Sequence, residues 1–169
     1  MNTQWLETFS DQTRIWVYQS NVDFNDAQLA RIQELGAHFT SQWSTHGTPL
    51  RAQVQVVDKR FVVVASDQSV TANSGCSMDK LTHFVQELGR EFNVDFFDRM
   101  RVNLWIDNRW QAVDYRELAS LAAQRTLQAD TLVADPLIDN KTAFIHHFIK
   151  PIQDSWHYKA IESQFINRS

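Results

Sequence analysis

The order of hydrophobic and polar positions along the chain predicts four strands and two helices in its first two thirds. Short runs of β-branched and aromatic residues favour strands, and apolar residues three and four positions apart favour amphipathic helices. The predicted strands cover 14–18, 51–57, 61–65 and 99–106. One helix separates the first two strands and another separates the last two, which predicts the order β-α-β-β-α-β.

Each predicted helix carries one apolar stripe and its own boundary signals. Asn25 or Asp26 is a suitable N-cap for the first helix, and His46-Gly47 with Pro49 beyond predicts its end. The apolar stripe of the first helix comprises Leu29, Ile32, Gly36, Phe39 and Trp43. The stripe of the second helix comprises Leu81, Phe84, Val85, Leu88 and Phe92. Residues 61–65 are apolar at every position, which predicts a central strand.

These elements predict an α+β domain with a ferredoxin-like split β-α-β core in an antiparallel sheet. We expect a single domain, with an N-terminal tail over 1–12, the core over 13–107 and a helical C-terminal extension over 108–169. Two helices cover only one face of such a sheet. The other face is predicted to carry Trp16, Tyr18 and Trp105, so we expect either the extension or a second copy in a homodimer to cover it.

Weaker signals organise the extension. Residues 110–113 predict a short fifth strand, and Asp114 with Glu117 predicts a capping box that opens a helix to about Arg125. Asp139 or Asn140 is predicted to cap a later helix, which Pro151 kinks or ends.

Composition narrows the class of protein. The 169 residues are 43% hydrophobic and 21% charged, which is typical of a globular chain, and the net charge of −4 lacks the basic footprint of a nucleic-acid binder. No apolar run approaches membrane-spanning length, and no secretory signal is evident. The single cysteine allows no intramolecular disulfide, so we expect a reducing, cytoplasmic location.

That cysteine marks the first candidate site. Cys76 opens the second helix, where unpaired backbone N–H groups and the helix dipole favour a thiolate. The predicted topology brings its loop close to the His46 turn and to the turn at 107–109. A thiol-dependent enzyme would use Cys76 as nucleophile, His46 as base and Asp79 or Asp107 as the orienting carboxylate.

The same loop has two further interpretations. Ser74, Gly75 and Ser77, with Arg109, could bind a small anion or a nucleotide fragment at the helix N-terminus. Alternatively, the loop is purely structural: a serine caps the helix, Gly75 allows a turn with positive φ, and Cys76 packs in the core. We take capping or packing as the default.

Other chemistry has little support in the sequence. No CxxC, HxxxH or HExxH spacing indicates a metal site, and His83 is predicted to face water. With four glycines and neither GxxxxGK[ST] nor GxGxxG, the chain has no common phosphate-binding loop. No cofactor is therefore predicted.

Several stretches resemble a family of small bacterial proteins whose members often carry the label "ABC transporter ATPase". The residues that carry the resemblance are 43–50, 60–65, 74–79, 83–88, 97–100 and 155–157. The resemblance implies a shared compact fold over most of the chain and brings no set of catalytic residues. The chain lacks the Walker A, Walker B and signature motifs, so the label does not imply ATP hydrolysis here. We expect a binding or interaction module, with the thiol enzyme and the anion binder as alternatives.

Overall fold

The computed structural model describes residues 1–166 and contains both helices and antiparallel strands, so the predicted α+β class is confirmed. The helices are α1 (Asp26–Gln42), α2 (Gly75–Phe92), α3 (Leu118–Ala123), α4 (Lys141–His147) and α5 (Glu162–Ile166). The strands are β1 (Thr13–Gln19), β2 (Ser44–Thr45), β3 (Thr48–Pro49), β4 (Ala52–Val57), β5 (Phe61–Asp67), β6 (Arg101–Ile106), β7 (Arg109–Asp114), β8 (Leu132–Ala134) and β9 (Ile149–Pro151).

The chain forms two compact units. The first comprises Met1–Phe97 and Pro136–His146, and the second comprises Asp98–Asp135 and the chain from His147 onward. The chain enters the second unit at Asp98, before the predicted fourth strand. The predicted single domain with a tail, a core and a C-terminal extension stays a prediction.

The first unit is built on an antiparallel sheet with the order β1-β5-β4. All seven residues of β5 are buried, which confirms the prediction of a central strand. One sheet face packs against the helices in a core that includes Ile32 of α1, Leu81 and Val85 of α2, and Val62 and Val64 of β5. The other face is buried as well, and it carries Ile15, Val17, Phe61, Val63 and Ala65.

Helix α1 lies close to the sheet because of one small residue. A Cβ atom added to Gly36 would come within 2.6 Å of the Val54 Cβ, so a larger residue would force the helix away from β4. Asn25, one of the two predicted N-caps, caps the helix, and it forms a reciprocal capping box with Gln28. Phe39 continues the apolar stripe after Gly36, and Trp43 is the C-cap residue just beyond the helix.

The predicted end of the first helix is wrong. Helix α1 stops at Gln42, and β2 and β3 then form a small antiparallel hairpin. Its two-residue turn consists of His46 and Gly47, with φ values of 49° and 79°. Both central residues of a type I′ turn need positive φ, which glycine adopts freely. The pair His-Gly is compatible with a helix stop, but in this chain it makes a hairpin turn.

The fourth predicted strand joins a different sheet, so the ferredoxin-like arrangement is not confirmed. Strands β1, β5 and β4 have the order expected of a split β-α-β unit, but β6 belongs to a separate sheet with the order β7-β6-β8-β9. At the outer edge of β1, the Ile15 N–H donates to the Asp139 carbonyl at 2.9 Å, and Arg14 forms a β-bridge with Asn140. The turn at Asp107 and Asn108, both with positive φ, pairs β6 locally with β7.

The second unit packs its sheet and short helices around an apolar core of its own. The fully buried members are Val102, Leu104, Leu118, Ala122, Leu127, Val133, Ile152 and Ile161. Asp114 forms the predicted capping box with Glu117, which here opens a short 3-10 turn before α3. The part of the chain predicted as a helical extension also contains three strands, β7, β8 and β9.

The predicted open aromatic sheet face is wrong for two of its three residues. Trp16 and Tyr18 are half-buried and pack against the core on the helix side of the first sheet. Burial raises the pKa of Tyr18 to about 12, although Arg14 acts in the opposite direction. Trp105 belongs to the second unit and is 38% exposed. Alternation along β1 fixes which residues share a face, but it does not show which face meets the helices.

Candidate functional site

The predicted thiol site lies at the N-terminal end of α2. Cys76 is the second residue of the helix and is exposed, so the interpretation that it packs in the core is wrong. His46 and Asp79 are exposed too. The Ser74 N–H lies 3.3 Å from Oγ1 of Thr45, the residue before His46, so the hairpin turn and the start of α2 are neighbours. The use of Cys76, His46 and Asp79 in catalysis stays a prediction.

Ser74 and Ser77 cap the helix by bonding to each other. The Ser77 N–H donates to Ser74 Oγ at 3.1 Å, and the Ser74 N–H donates to Ser77 Oγ at 2.9 Å. The Trp43 indole N–H donates to the Ser77 carbonyl at 2.8 Å. Two amide donors near the helix start therefore already have acceptors, which leaves fewer of them for an anion. Gly75 is not among the residues with positive φ, so that part of the structural interpretation is wrong.

Polar side chains hold the loop that leads into α2. Gln68 and Asn73 bond reciprocally, with the Gln68 amide donating to Asn73 Oδ1 at 2.7 Å. Asp67 is buried and accepts hydrogen bonds from the backbone and hydroxyl groups of Ser10 and Ser69. Burial alone would raise the pKa of Asp67, but these hydrogen bonds outweigh it and keep the pKa well below its usual value. These groups support the fold rather than a ligand.

Arg109, predicted to join the same site, belongs to the second unit. It is the first residue of β7 and is exposed at the end of the β6–β7 hairpin. Its role in anion binding stays a prediction.

A groove between α1 and α2 has the properties of a ligand site. It encloses about 420 Å³, within the range of small-molecule pockets. Phe39 of α1 and Phe84 of α2 form its floor, stacked with ring centroids 4.4 Å apart and planes 4° from parallel. We define this groove by its lining residues Leu35, His38, Phe39, Gln42, Trp43, Lys80, His83, Phe84 and Glu87.

The floor of the groove is rigid because it continues into the core. The Phe39 ring lies 5.1 Å from the ring of Trp43, and Trp43 contacts Trp16 edge-on at 6.1 Å. Trp43 is only 1% exposed, while Phe39 and Phe84 are half-buried. The aromatic cluster is therefore anchored at its inner end and open at its outer end, so binding an apolar group there would order few side chains.

The rim of the groove is ionisable and largely unpaired. Within residues 1–166, no hydrogen bond or ion pair engages the side chains of His38, Lys80 or His83. Glu87, the one carboxylate among the lining residues, forms an ion pair with Arg90. Three basic groups therefore surround the aromatic floor without partners of their own.

A second cavity of the first unit, of about 480 Å³, is less suited to a ligand. It lies at the C-terminal end of α2, where Arg90 pairs with Glu87 and Asp95 accepts a hydrogen bond from the Phe97 N–H. Its charged lining groups are thus already engaged within the protein.

The second unit contains a buried polar cluster. Asp135 is 6% exposed and accepts hydrogen bonds from Lys150 at 3.0 Å and from the Trp156 indole at 2.9 Å. Nδ1 of His157 lies 3.1 Å from Ser155 Oγ, and the His157 ring stacks on Trp156 at 3.7 Å. Burial lowers the pKa of His157 to about 4, with Asp135 opposing the shift and Lys150 adding to it. His157 is therefore neutral near pH 7.

Two properties of the described residues bear on the remaining predictions. Within residues 1–166, no group of three or more His, Cys, Asp or Glu side chains is arranged to hold a metal ion. No helix in that part of the chain is both long enough and apolar enough to cross a bilayer.

Comparisons with known proteins return no relative: no family model, no curated protein and no solved structure matches the chain. The groove must therefore be judged on its own geometry. Sequence reasoning treated Phe39 and Phe84 as core residues and His83 as surface. The available signal was that His38 and His83 each directly precede one of these two phenylalanines.

Proposed function

We propose that the protein is a cytoplasmic, non-enzymatic binding module and that the groove between α1 and α2 is its ligand site. The observation that carries this proposal is the stacked Phe39–Phe84 pair, which is half-buried and open to the groove. Binding is favoured when a ligand removes aromatic surface from water. The unpaired polar groups of the rim would orient that ligand.

The groove suits a small molecule better than a peptide helix. A helix bound in a groove needs apolar contacts at positions i, i+3, i+4 and i+7, which span several turns. The floor here offers one stacked pair with Trp43 behind it, and the volume of about 420 Å³ matches a single compact ligand.

A neutral fluorescent probe tests this function directly. We expect N-phenyl-1-naphthylamine to bind the full chain saturably with a stoichiometry of one. Phe84→Leu keeps an apolar side chain but loses the stacking contact, so the affinity should fall about five-fold. Phe97→Leu is the matched control, because Phe97 lines the other cavity. Non-saturable binding, or a loss of affinity in Phe97→Leu instead of Phe84→Leu, would reject the groove as the site.

The thiol-dependent enzyme remains a second candidate because Cys76 is exposed near the His46 turn. If His46 activates the thiol, iodoacetamide should alkylate the native protein faster than a free cysteine at pH 7, and His46→Asn should abolish the difference. Asparagine is suitable because it tolerates the positive φ at this position. A native rate equal to that of free cysteine would remove this candidate.

Three further expectations from the sequence stay proposals: the family resemblance, the ferredoxin-like relationship and a homodimer. The resemblance to the bacterial family labelled "ABC transporter ATPase" and the ferredoxin-like relationship both concern the fold and add no site residues. A homodimer would have to use a surface other than the face that carries Trp16 and Tyr18, since these residues pack against the helix-side core.

A further inference from the structure

We propose that the ligand of the α1–α2 groove is an organic anion, with an apolar body and one acidic group, and that the groove holds it more tightly as His38 and His83 become protonated. This inference rests on the function proposed above and adds the charge class of the ligand and its regulation by pH. The apolar body would lie on Phe39 and Phe84, and the acidic group would meet the basic rim.

The two histidines flank the aromatic floor from both helices. His38 lies on α1 beside Phe39 in sequence, and His83 lies on α2 beside Phe84. Both line the groove and both are exposed. Lys80 precedes His83 by three residues, a spacing that places the two side chains on the same side of α2. The rim therefore places a cationic or protonatable group on each side of the floor.

Two residues that line the groove are histidines, and histidine is the residue type whose charge ordinarily changes between about pH 5 and 8. Of the other ionisable groups in the lining, Lys80 is basic and Glu87 is acidic. Positive charge on His38 and His83 would therefore make the lining net positive. Glu87 offsets little of this positive charge, because Arg90 forms an ion pair with it.

Neighbouring charges on both helices must be counted too. Glu34 precedes His38 by one turn, but Arg31 lies 3.5 Å from it in an ion pair. Arg31 also binds Glu91 of α2 at 2.9 Å. Asp79 precedes His83 by one turn and is exposed at the start of α2, outside the groove lining. Among the groups that line the groove itself, the unpaired ionisable ones are all basic.

Two dyes with one aromatic skeleton separate charge from shape. 8-Anilinonaphthalene-1-sulfonate carries a sulfonate that N-phenyl-1-naphthylamine lacks. A unit charge about 4 Å from an anion changes its affinity roughly five-fold even in bulk water. Allowing for solvent screening, we expect the sulfonate to bind about ten-fold more tightly at pH 5.5 than at pH 8, and the neutral dye to bind equally at both. Added salt should weaken the binding of the sulfonate dye and leave the binding of the neutral dye unchanged.

Variants of the full chain locate the effect. His38→Gln with His83→Gln should abolish the pH dependence of sulfonate binding. His146→Gln, which removes an exposed histidine of α4, should retain the pH dependence. If the neutral dye binds but the sulfonate shows no pH dependence, or if the double variant keeps it, this inference is overturned and the groove function stands. If neither dye binds, both proposals fail.

Discussion

The groove of the first unit and the polar cluster of the second unit use histidine in opposite ways. In the first, His38 and His83 are exposed at the rim of the α1–α2 groove, and no hydrogen bond or ion pair among the described residues engages their side chains. In the second, His157 is 1% exposed, stacks on Trp156 and lies 3.1 Å from Ser155 Oγ. The Ser155 hydroxyl donates its hydrogen to the Ile152 carbonyl, so Ser155 Oγ can only accept from His157. Nδ1 of His157 therefore carries the hydrogen and is the donor to Ser155 Oγ.

This difference shows how to separate a binding group from a structural one. A histidine ring that is buried, with its hydrogen bond and stacking partner inside the fold, is destabilised when it becomes charged. Protonation of such a ring therefore lowers the free energy of unfolding. A ring in contact with water remains accessible to a ligand. Changes in the polar cluster of the second unit should therefore alter the free energy of unfolding, and changes at the groove rim should alter binding.

Removing the charge of Asp135 should have the largest effect on stability. Asp135→Asn leaves the Lys150 ammonium, whose side chain is 19% exposed, without its carboxylate partner. Breaking a buried ion pair in this way costs about 3 kcal/mol of unfolding free energy. Urea unfolding monitored by circular dichroism measures this change. Asp154→Asn, at an exposed carboxylate of the same unit, is the control and should change the value by less than about 0.5 kcal/mol. Equal effects of the two variants would contradict the comparison.

The pH dependence of stability should come next in size. The pKa of His157 is about 4 in the folded protein, whereas an imidazole in water has a pKa of 6.5, so the unfolded chain binds more protons between these values. Stability therefore rises with pH across this window, and acidification from pH 7 to pH 5 should remove about 2 kcal/mol. Asp67, whose pKa is lowered by folding, loses its contribution only at pH values near and below 3.8.

His157→Asn tests the assignment of that window. Asparagine keeps an N–H donor near Ser155 but does not titrate, so the unfolding free energy should vary little between pH 4 and 6.5 in this variant. A pH slope that persists unchanged would show that another group controls acid stability.

The strands of the first sheet and both long helices could be predicted because their signals are local. Residues 61–65 are apolar throughout, and Asn25 and Asp114 carry capping patterns that depend on residues three positions away. The hairpin at 44–49 was missed because His46-Gly47 fits a helix stop and a two-residue turn equally well. The partner of β6 was missed because a strand pattern does not specify which edge it joins.

The candidate site was predictable only in part, for a related reason. Ser74, Ser77 and Cys76 attracted attention by residue type, but the two serines bond to each other and serve the cap. The groove depends on Phe39 and Phe84, which are 45 positions apart in the numbering and meet only after α1 and α2 pack. Periodicity assigned both rings to the core, and it contains no information on how far the packing leaves them open.

The smallest expected effect on stability belongs to the groove rim. His38→Gln combined with His83→Gln removes two exposed side chains that form no ion pair or hydrogen bond within residues 1–166. Glutamine has at least the helix propensity of histidine, so the unfolding free energy at pH 7 should change by less than about 0.5 kcal/mol. Urea unfolding of this variant beside His157→Asn measures the contrast. A loss of more than about 1 kcal/mol in the double variant would mean that the rim histidines support the fold, and the distinction between the two units would then fail.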